Sequence, residues 1–416
     1  MYQFFLEFWE NFRHNLFKPI LLFFYMGFLV PILRVKLDFP HVIYQGLTIF
    51  LLIAIGWHGG EELAKLSAAD LTRAGGFMAV GFVTNFVIGC TAYMFLRSFT
   101  RLRRIDAATV SGYYGSDSAG TFATAVGVLV SAKIAYAPYM PVMLAVMEIP
   151  GCLVALFLVS LLRQRGMDSL GNMPDEPGYN PLSRPAAQAY PAPRSGGRSA
   201  PSHGHGHDHK EDAARVSTAV VEETETDEEA PVEAHTGNKL ISAELLHEVF
   251  LNPGIYLLMA GIAIGFISGK QGPKVTADDD NLFIGLFQGL LCLFLLEMGM
   301  TASSKLKDLK DAGWRFIAYG IIAPNIYATM GIIVAHLYSM IIHQPMEIGT
   351  YVMFSVLCGA ASYIAVPAVQ RLAIPEASPT LPLAASLGLT FSYNVTVGIP
   401  IYIQIAKLVV KTFPVA

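Results

Sequence analysis

Apolar residues arrive in this chain as long blocks separated by short polar turns, not as the scattered periodicity of a soluble core. "PILLFFYMGFLVPIL", "GLTIFLLIAIGW", "CLVALFLVSLL", "IYLLMAGIAIGF" and "IGLFQGLLCLFLL" are the clearest of them. A run of about 20 apolar residues spans the hydrocarbon layer, so such blocks read as transmembrane helices. A coarse division gives ten candidate spans: 17–35, 41–58, 75–97, 107–131 and 138–163, then 247–269, 281–303, 314–340, 347–371 and 380–411. The fold class predicted is an all-α polytopic membrane protein.

Between the fifth and sixth spans the pattern disappears. Residues 164–245 are rich in Pro, Gly, Ala and Ser, then His ("HGHGHDHK"), then Glu ("EETETDEEAPVE"). With little apolar surface to bury, most of this segment is expected to be a disordered linker. The chain thus divides into an N-terminal unit 1–163, the linker 164–245 and a C-terminal unit 246–416. Ahead of the first span, Phe5, Trp9, Phe12 and Leu16 recur at helical spacing, with Glu7, Glu10 and His14 mostly opposite. They suggest a surface-lying helix or the flank of the first span; no signal-peptide pattern is present.

The two units resemble each other. "FLLIAIGWHGGEELAKL" aligns with "LFLLEMGMTASSKLKDL", pairing Gly56 with Gly299, Leu63 with Leu306 and Leu66 with Leu309. "YGSDSAGTF" aligns with "CGAASYIAV", pairing Gly115 with Gly359 and Ser118 with Ser362, and "EIPG" with "GIPI". Two five-span repeats must be inverted relative to each other, because an odd number of crossings reverses the second; inverted repeats mark secondary transporters. The most basic short loops, "RSFTRLRRID" and "SKLKDLKDAGWR", fall on the side of the linker. The positive-inside rule then places the linker in the cytoplasm and both termini outside.

Composition agrees with a membrane protein: 53% hydrophobic, 14% charged and a mean hydropathy of +0.48, against about 25% charged residues in soluble domains. The net charge of −4 says little about partners because most of the charge lies in loops; no nucleic-acid partner is expected. Cys90, Cys152, Cys292 and Cys358 fall in or beside spans without CxxC spacing and read as packing residues. No Walker sequence, dinucleotide fingerprint or nucleophile with an adjacent base occurs, so the chain is not read as an enzyme.

One stretch breaks the apolar rule inside a span. "YYGSDSAGTFATAVG", 113–127, holds glycines, hydroxyls and an aspartate. Irregular backbone at membrane depth is tolerated only where protein or a water-filled cavity surrounds it. Its counterpart in the ninth span has Gly359, Ser362 and the helix-interrupting Pro367. Interrupted fourth and ninth helices in inverted repeats point to a midplane binding site, with tight small-residue packing as the alternative. Asp117, Glu148 and, nearer a span end, Glu297 are the acids in the spans, and no Lys or Arg lies mid-span. An unpaired carboxylate there costs roughly 3 kcal/mol or more, so each must be protonated or meet a mobile cation. Asp117, Ser118, Thr121 and Glu148 are therefore the candidates for coupling Na⁺ or H⁺; Glu297 is read as a neutral, hydrogen-bonded carboxyl. Without Arg, an anion must rely on helix N-termini, each worth about half a positive charge, and on hydroxyls. That suits a small monovalent anion.

These features resemble the sodium-dependent bicarbonate transporters first described in cyanobacteria. The resemblance rests on "MGM" (Met298 to Met300), the Gly/Ser-rich fourth span, "MEIPG", "PAVQRLAIPEASP" and "GIPI", and covers both hydrophobic units but not the linker. It implies a homotrimer of ten-helix subunits in a bacterial plasma membrane, each with a gate domain and a transport domain. It also implies Na⁺ and bicarbonate between the fourth and ninth spans, and inhibition by a PII-like cytoplasmic protein. Carried over by motif, the site candidates are Gly115, Ser116, Asp117, Ser118, Ser362 and Tyr363. One position departs: where the family has an acid in the ninth span this chain has Tyr363, and its acid is Asp117 in the other half. The expected function is Na⁺-coupled bicarbonate import with no cofactor beyond the coupling ion. H⁺ coupling, a small organic anion, an anion channel and a sensor centred on the linker are the rivals. His203, His205, His207 and His209 are weak candidates for Zn²⁺ or Ni²⁺, without the closed ligand set of a folded site.

Overall fold

A computed structural model describes residues 17–181 and 253–415, apart from 310–311, 365, 368–369 and 371–372. The expected surface helix before residue 17 and the four-histidine tract lie outside the described residues. Those described form helices and connecting turns, with no strand among them.

The helices are α1 Pro19–Ile32, α2 His41–Ala64, α3 Ala68–Phe99, α4 Arg104–Tyr114, α5 Ala119–Ser131 and α6 Met140–Gln164. In the second half come α7 Pro253–Gln271, α8 Pro273–Phe283, α9 Phe287–Lys305, α10 Trp314–Ile341, α11 Ile348–Gly359 and α12 Leu381–Thr412. Each of the ten apolar stretches contains at least one helix among its described residues. Among the described residues, seven helical segments are long and apolar enough to cross a membrane, with α8 and α9 counting as one. The shortfall from ten has a local cause: α1 and α11 have only 14 and 12 residues, and the fourth stretch is cut into α4 and α5. The chain is an integral membrane protein.

Helix ends follow from sequence. Ser67 caps α3, its hydroxyl accepting from the Asp70 backbone N–H at 3.2 Å and donating to the Asp70 carboxylate at 2.6 Å, a variant of the capping box. Proline at the first turn starts α1, α7 and α8, where its missing N–H costs nothing. Within α12, π-helical turns over Ala384–Phe391 and Asn394–Gly398 precede Pro400.

Packing divides the helices. α1 lies along α9 and α2 along α7, while α6 packs on α3 and α4, and α11 packs on α10 and α12. The first two pairs approach almost backbone to backbone. A Cβ at Gly60 would lie 2.2 Å from the Ile262 carbonyl oxygen and one at Gly265 2.2 Å from that of Trp57. The spacings Gly56/Gly60 and Gly261/Gly265 are the small-xxx-small pattern by which helices associate without a hydrophobic driving force. The best-enclosed long helix is α6, 72% buried over its most apolar window against 28–44% for the other six segments. Leu29, Met94, Ile264 and Ile333 instead present apolar surface outward, as a lipid-facing side requires.

Past Gln164 the chain continues in turns to residue 181, and residues 171–173 of this stretch are buried against the helices. Met167, Asp168 and Met173 are buried. Asp168 accepts backbone N–H bonds from Leu170, Asn172 and Asn180 at 3.0, 2.7 and 2.9 Å. Burial pushes the Asp168 carboxyl up, but these donors outweigh it and leave it below the ordinary carboxylate range. Its stabilising contribution is complete above the unfolded carboxylate's pKa and is lost as pH falls through the lower folded value.

The same end of the molecule is clasped across the two halves. Arg103 forms a forked pair with Asp106 at 2.7 and 3.1 Å, and Asp106 also accepts the Ser378 backbone N–H at 2.8 Å. Arg163 forks onto Glu376 and donates to the Ala373 carbonyl at 2.8 Å. The "PAVQRLAIPEASP" run thus ties the ninth stretch to α4 and α6. With Glu376 only 11% exposed and Arg163 29%, the pair falls between a surface and a buried ion pair. Arg163→Met is expected to lower stability by about 2–4 kcal/mol, read as the thermal unfolding midpoint in detergent.

Candidate functional site

The polar stretch of the fourth span is a helix break. α4 stops at Tyr114, Gly115 supplies its C-cap, and α5 begins only at Ala119. Ser118 caps α5: its hydroxyl oxygen accepts the Thr121 backbone N–H at 3.2 Å and the Thr121 hydroxyl at 2.9 Å. Glycine is demanded on both sides of the break. A Cβ at Gly115 would lie 2.8 Å from the Gly89 Cα, and one at Gly151 only 2.1 Å from the Gly112 carbonyl oxygen. These contacts press the break against α3 and α6.

Pro150 within α6 removes one main-chain donor, and neighbouring carbonyls draw side chains from other helices. Ser116 donates its hydroxyl to the Glu148 carbonyl at 2.8 Å, and Asn85 of α3 donates its amide to the Met147 carbonyl at 2.9 Å. The second half builds the other wall. α11 ends at Gly359, whose carbonyl accepts the Asn394 amide at 2.8 Å, and Ala360 is extended. The Ser362 backbone N–H then donates to the Tyr113 carbonyl at 2.8 Å, so the two interruptions are bonded to each other.

Asp117, Ser118, Ala119, Glu148, Ser362, Tyr363 and Ile364 line a tightly closed cavity between them. Asp117 is fully buried, and neither carboxylate oxygen has a hydrogen-bond partner. The charged group in its electrostatic neighbourhood is Glu148, a like charge. Tyr363 is 8% exposed; its hydroxyl sits over Gly120 in the first turn of α5 without a well-formed hydrogen bond. Partnerless buried carboxylates are costly, and a hard cation ligated by carboxylate and hydroxyl oxygens relieves that cost. The N-terminus of α5, a helix of 13 residues, faces the same space and favours an anion.

Of the residues singled out from sequence, the cavity brings together Asp117, Ser118, Glu148, Ser362 and Tyr363. Gly115, Ser116 and Thr121 support it from behind, their groups occupied in the break, the α6 carbonyl and the cap. Glu297 lies elsewhere, on α9, accepting the Thr301 hydroxyl at 2.7 Å. Among the described residues no group of three or more His, Cys, Asp or Glu is placed to hold a metal ion.

Several buried polar residues escaped the sequence reading. Asn85 and Asn394 are fully buried. The Tyr113 hydroxyl donates to Gln370 at 2.6 Å, and the Tyr114 hydroxyl pairs with Thr390 at 2.7 Å. Mid-span polarity is the sequence signal for the two asparagines, since an amide inside a membrane helix needs partners.

No match to the chain is found among curated proteins. A family model, described as the Na⁺-dependent bicarbonate transporter superfamily, matches residues 19–407. That match runs across both helical halves and includes every residue lining the cavity. The chain belongs to the Na⁺-dependent bicarbonate transporter superfamily.

Proposed function

We propose that the protein is a secondary transporter that imports bicarbonate together with Na⁺ by alternating access, with Asp117 as the coupling residue. The observation that carries this reading is the fully buried Asp117, both oxygens unpartnered, in a cavity between two interrupted helices. Na⁺ held by Asp117 and nearby hydroxyls, with Glu148 as a further oxygen donor, offsets the carboxylate charge. Bicarbonate then gains from the bound cation, from the N-terminus of α5 and from the hydroxyls of Ser118, Ser362 and Tyr363. Ser116, Gly115 and Thr121 fix the shape of the break.

The proposal includes two inverted five-helix repeats, and the packing pairs are consistent with it. Exchanging each span for the one five places on turns the α1/α9 contact into α7/α2, α3/α6 into α10/α12 and α4/α6 into α11/α12. Movement of the central helices against the α1, α2, α7 and α9 group would expose the cavity alternately to either side. From the resemblance we also adopt a homotrimer in the bacterial plasma membrane, both termini outside, and a PII-like regulator on the cytoplasmic side.

The deciding experiment is uptake of radiolabelled bicarbonate into proteoliposomes with and without an inward Na⁺ gradient. Accumulation above equilibrium that requires Na⁺ is the expected result. Equal uptake driven by a proton gradient alone would replace Na⁺ by H⁺, and saturation-free flux without coupling would make the protein a channel.

A further inference from the structure

Asn394 on α12 is fully buried, lies outside the cavity lining, and is hydrogen-bonded at both ends of its amide. Its nitrogen donates to the Gly359 carbonyl at 2.8 Å, and its oxygen accepts the Tyr402 hydroxyl at 2.7 Å. Tyr402, also on α12, is fully buried as well. Gly359 is the last residue of α11, and the turn into extended Ala360 deprives its carbonyl of a partner from its own helix. An acceptor at membrane depth has no water to turn to, so the Asn394 amide supplies what the interruption removes. The bond has little slack. A Cβ at Gly359 would lie 2.8 Å from the Pro324 carbonyl oxygen of α10 and 3.3 Å from the Tyr402 hydroxyl oxygen, and one at Gly398 2.7 Å from the Asn394 amide oxygen. Asn394 opens the π-helical turn Asn394–Gly398, and such turns within α-helices are frequent at functional sites.

The consequence falls on the cavity wall of the second half. Only Ala360 and Ala361 separate Gly359 from Ser362, whose backbone N–H donates to the Tyr113 carbonyl at 2.8 Å. The strip that delivers Ser362 and Tyr363 to the cavity is therefore suspended between two hydrogen bonds, one from α12 at Gly359 and one to α4 at Ser362. The two alanines between them have no polar side chain with which to fix it. We infer that Asn394 is a positioning residue for the anion: it holds Ser362 and Tyr363 in place through the Gly359 carbonyl, and Tyr402 orients its amide. The inference rests on the coupled-transport reading and deepens it, assigning the second-half wall to the anion apart from the cation at Asp117. Asp117 and Glu148 are placed by the first half, through Gly115, Ser116 and Gly151.

The test is uptake of radiolabelled bicarbonate into proteoliposomes at saturating Na⁺ for wild type, Asn394→Leu and Tyr402→Phe. Thermal unfolding with and without Na⁺, in the absence of bicarbonate, is the second readout. Asn394→Leu keeps the approximate volume and deletes the donor. It is expected to raise the bicarbonate KM about tenfold, the scale of one lost buried hydrogen bond, with the plateau rate within about twofold of wild type. The rise in unfolding temperature on adding Na⁺ is expected to match wild type, because the cation wall is untouched. Tyr402→Phe leaves the donor but frees its orientation, and is expected to raise the KM about threefold. A merely structural role gives another pattern: a lower plateau with the KM unchanged overturns the inference. So does loss of the Na⁺ stabilisation in Asn394→Leu, which would place the residue at the cation instead. Where Asn394→Leu does not fold, Tyr402→Phe decides by the same two readouts, since it keeps the ring and removes only the hydroxyl. A wild type without saturable, Na⁺-dependent uptake removes the coupled-transport reading itself and the inference with it. That outcome is distinct from a wild type that transports and a variant that shares its KM.

Discussion

Asp117→Asn is expected to abolish the Na⁺ dependence of uptake while leaving the protein folded. The substitution keeps the shape of the side chain and removes the charge that the cavity cannot otherwise neutralise. Asp117 is fully buried with both oxygens unpartnered, so the wild-type fold bears a cost of several kcal/mol unless a cation or a proton is present. In Na⁺-free buffer the variant should therefore unfold at the same temperature as wild type or higher. Adding Na⁺ separates them. A ligand at 100 times its Kd stabilises the state that binds it by about 2.7 kcal/mol, a gain expected for wild type and absent from the variant. Thermal unfolding with and without Na⁺ reads this directly, independent of transport. An unchanged Na⁺ response in Asp117→Asn would refute the assignment of Asp117 and return the coupling role to Glu148 or to the hydroxyls.

The second large effect is expected at Gly151, which carries no functional group. A Cβ there would come within 2.1 Å of the Gly112 carbonyl oxygen and 2.6 Å of both the Ser116 backbone nitrogen and its Cβ. These are mostly main-chain atoms of the helix break and cannot swing aside as the end of a flexible side chain can. Gly151→Val must push α6 off α4, at a cost of about 3 kcal/mol or more, the upper end of what overpacking usually costs. The displacement also carries Glu148, three residues earlier on α6, away from Asp117. Misplacing a reacting constellation by about 1 Å can cost around a hundredfold in rate. We expect a comparable fall in uptake from folded Gly151→Val protein, together with a lower unfolding temperature. Near-wild-type transport in this variant would mean that the Gly112/Gly151 crossing does not set the geometry of the site.

Together these two predictions distinguish the chemistry of the site from its scaffold. Asp117→Asn should lose the Na⁺ response at no cost in stability; Gly151→Val should lose rate and stability together. The clasp at Arg163 and Glu376 supplies a third contrast. It lies outside the cavity lining, so its loss is expected in stability first.

Much of this was legible in the order of the residues. Long apolar blocks announced membrane helices because lipid forces the chain to satisfy its backbone within helices. The Gly-Ser-Asp stretch announced an interruption, because glycine and short hydroxyl residues in a span have no use against lipid. Asp117 and Glu148 stood out because charge at that depth is expensive. Other features lay beyond the reach of sequence. The "PAVQRLAIPEASP" run read as a family motif, but its work, pairing Glu376 with Arg163 and Ser378 with Asp106, depends on partners more than 200 residues away. The turns after Gln164, tied together by the backbone N–H groups of Leu170, Asn172 and Asn180 gathered on Asp168, have no hydrophobic signature. Glu297 was read as a neutral carboxyl satisfied by a neighbour; Thr301 satisfies one oxygen, and the other is buried and partnerless.

What the sequence determined by itself was the class of molecule, the position of the break in the fourth span and the acids placed at membrane depth, because each stands out against the cost of polar groups in hydrocarbon. What only the tertiary structure decided was which of these groups share one cavity. Asp117, Glu148, Ser362 and Tyr363 come from three separate stretches of chain, and they meet because Gly112 and Gly151 let α4 and α6 touch and because the Ser362 N–H bonds the Tyr113 carbonyl. Close packing and hydrogen bonds between distant segments depend on three-dimensional complementarity, which local pattern does not encode.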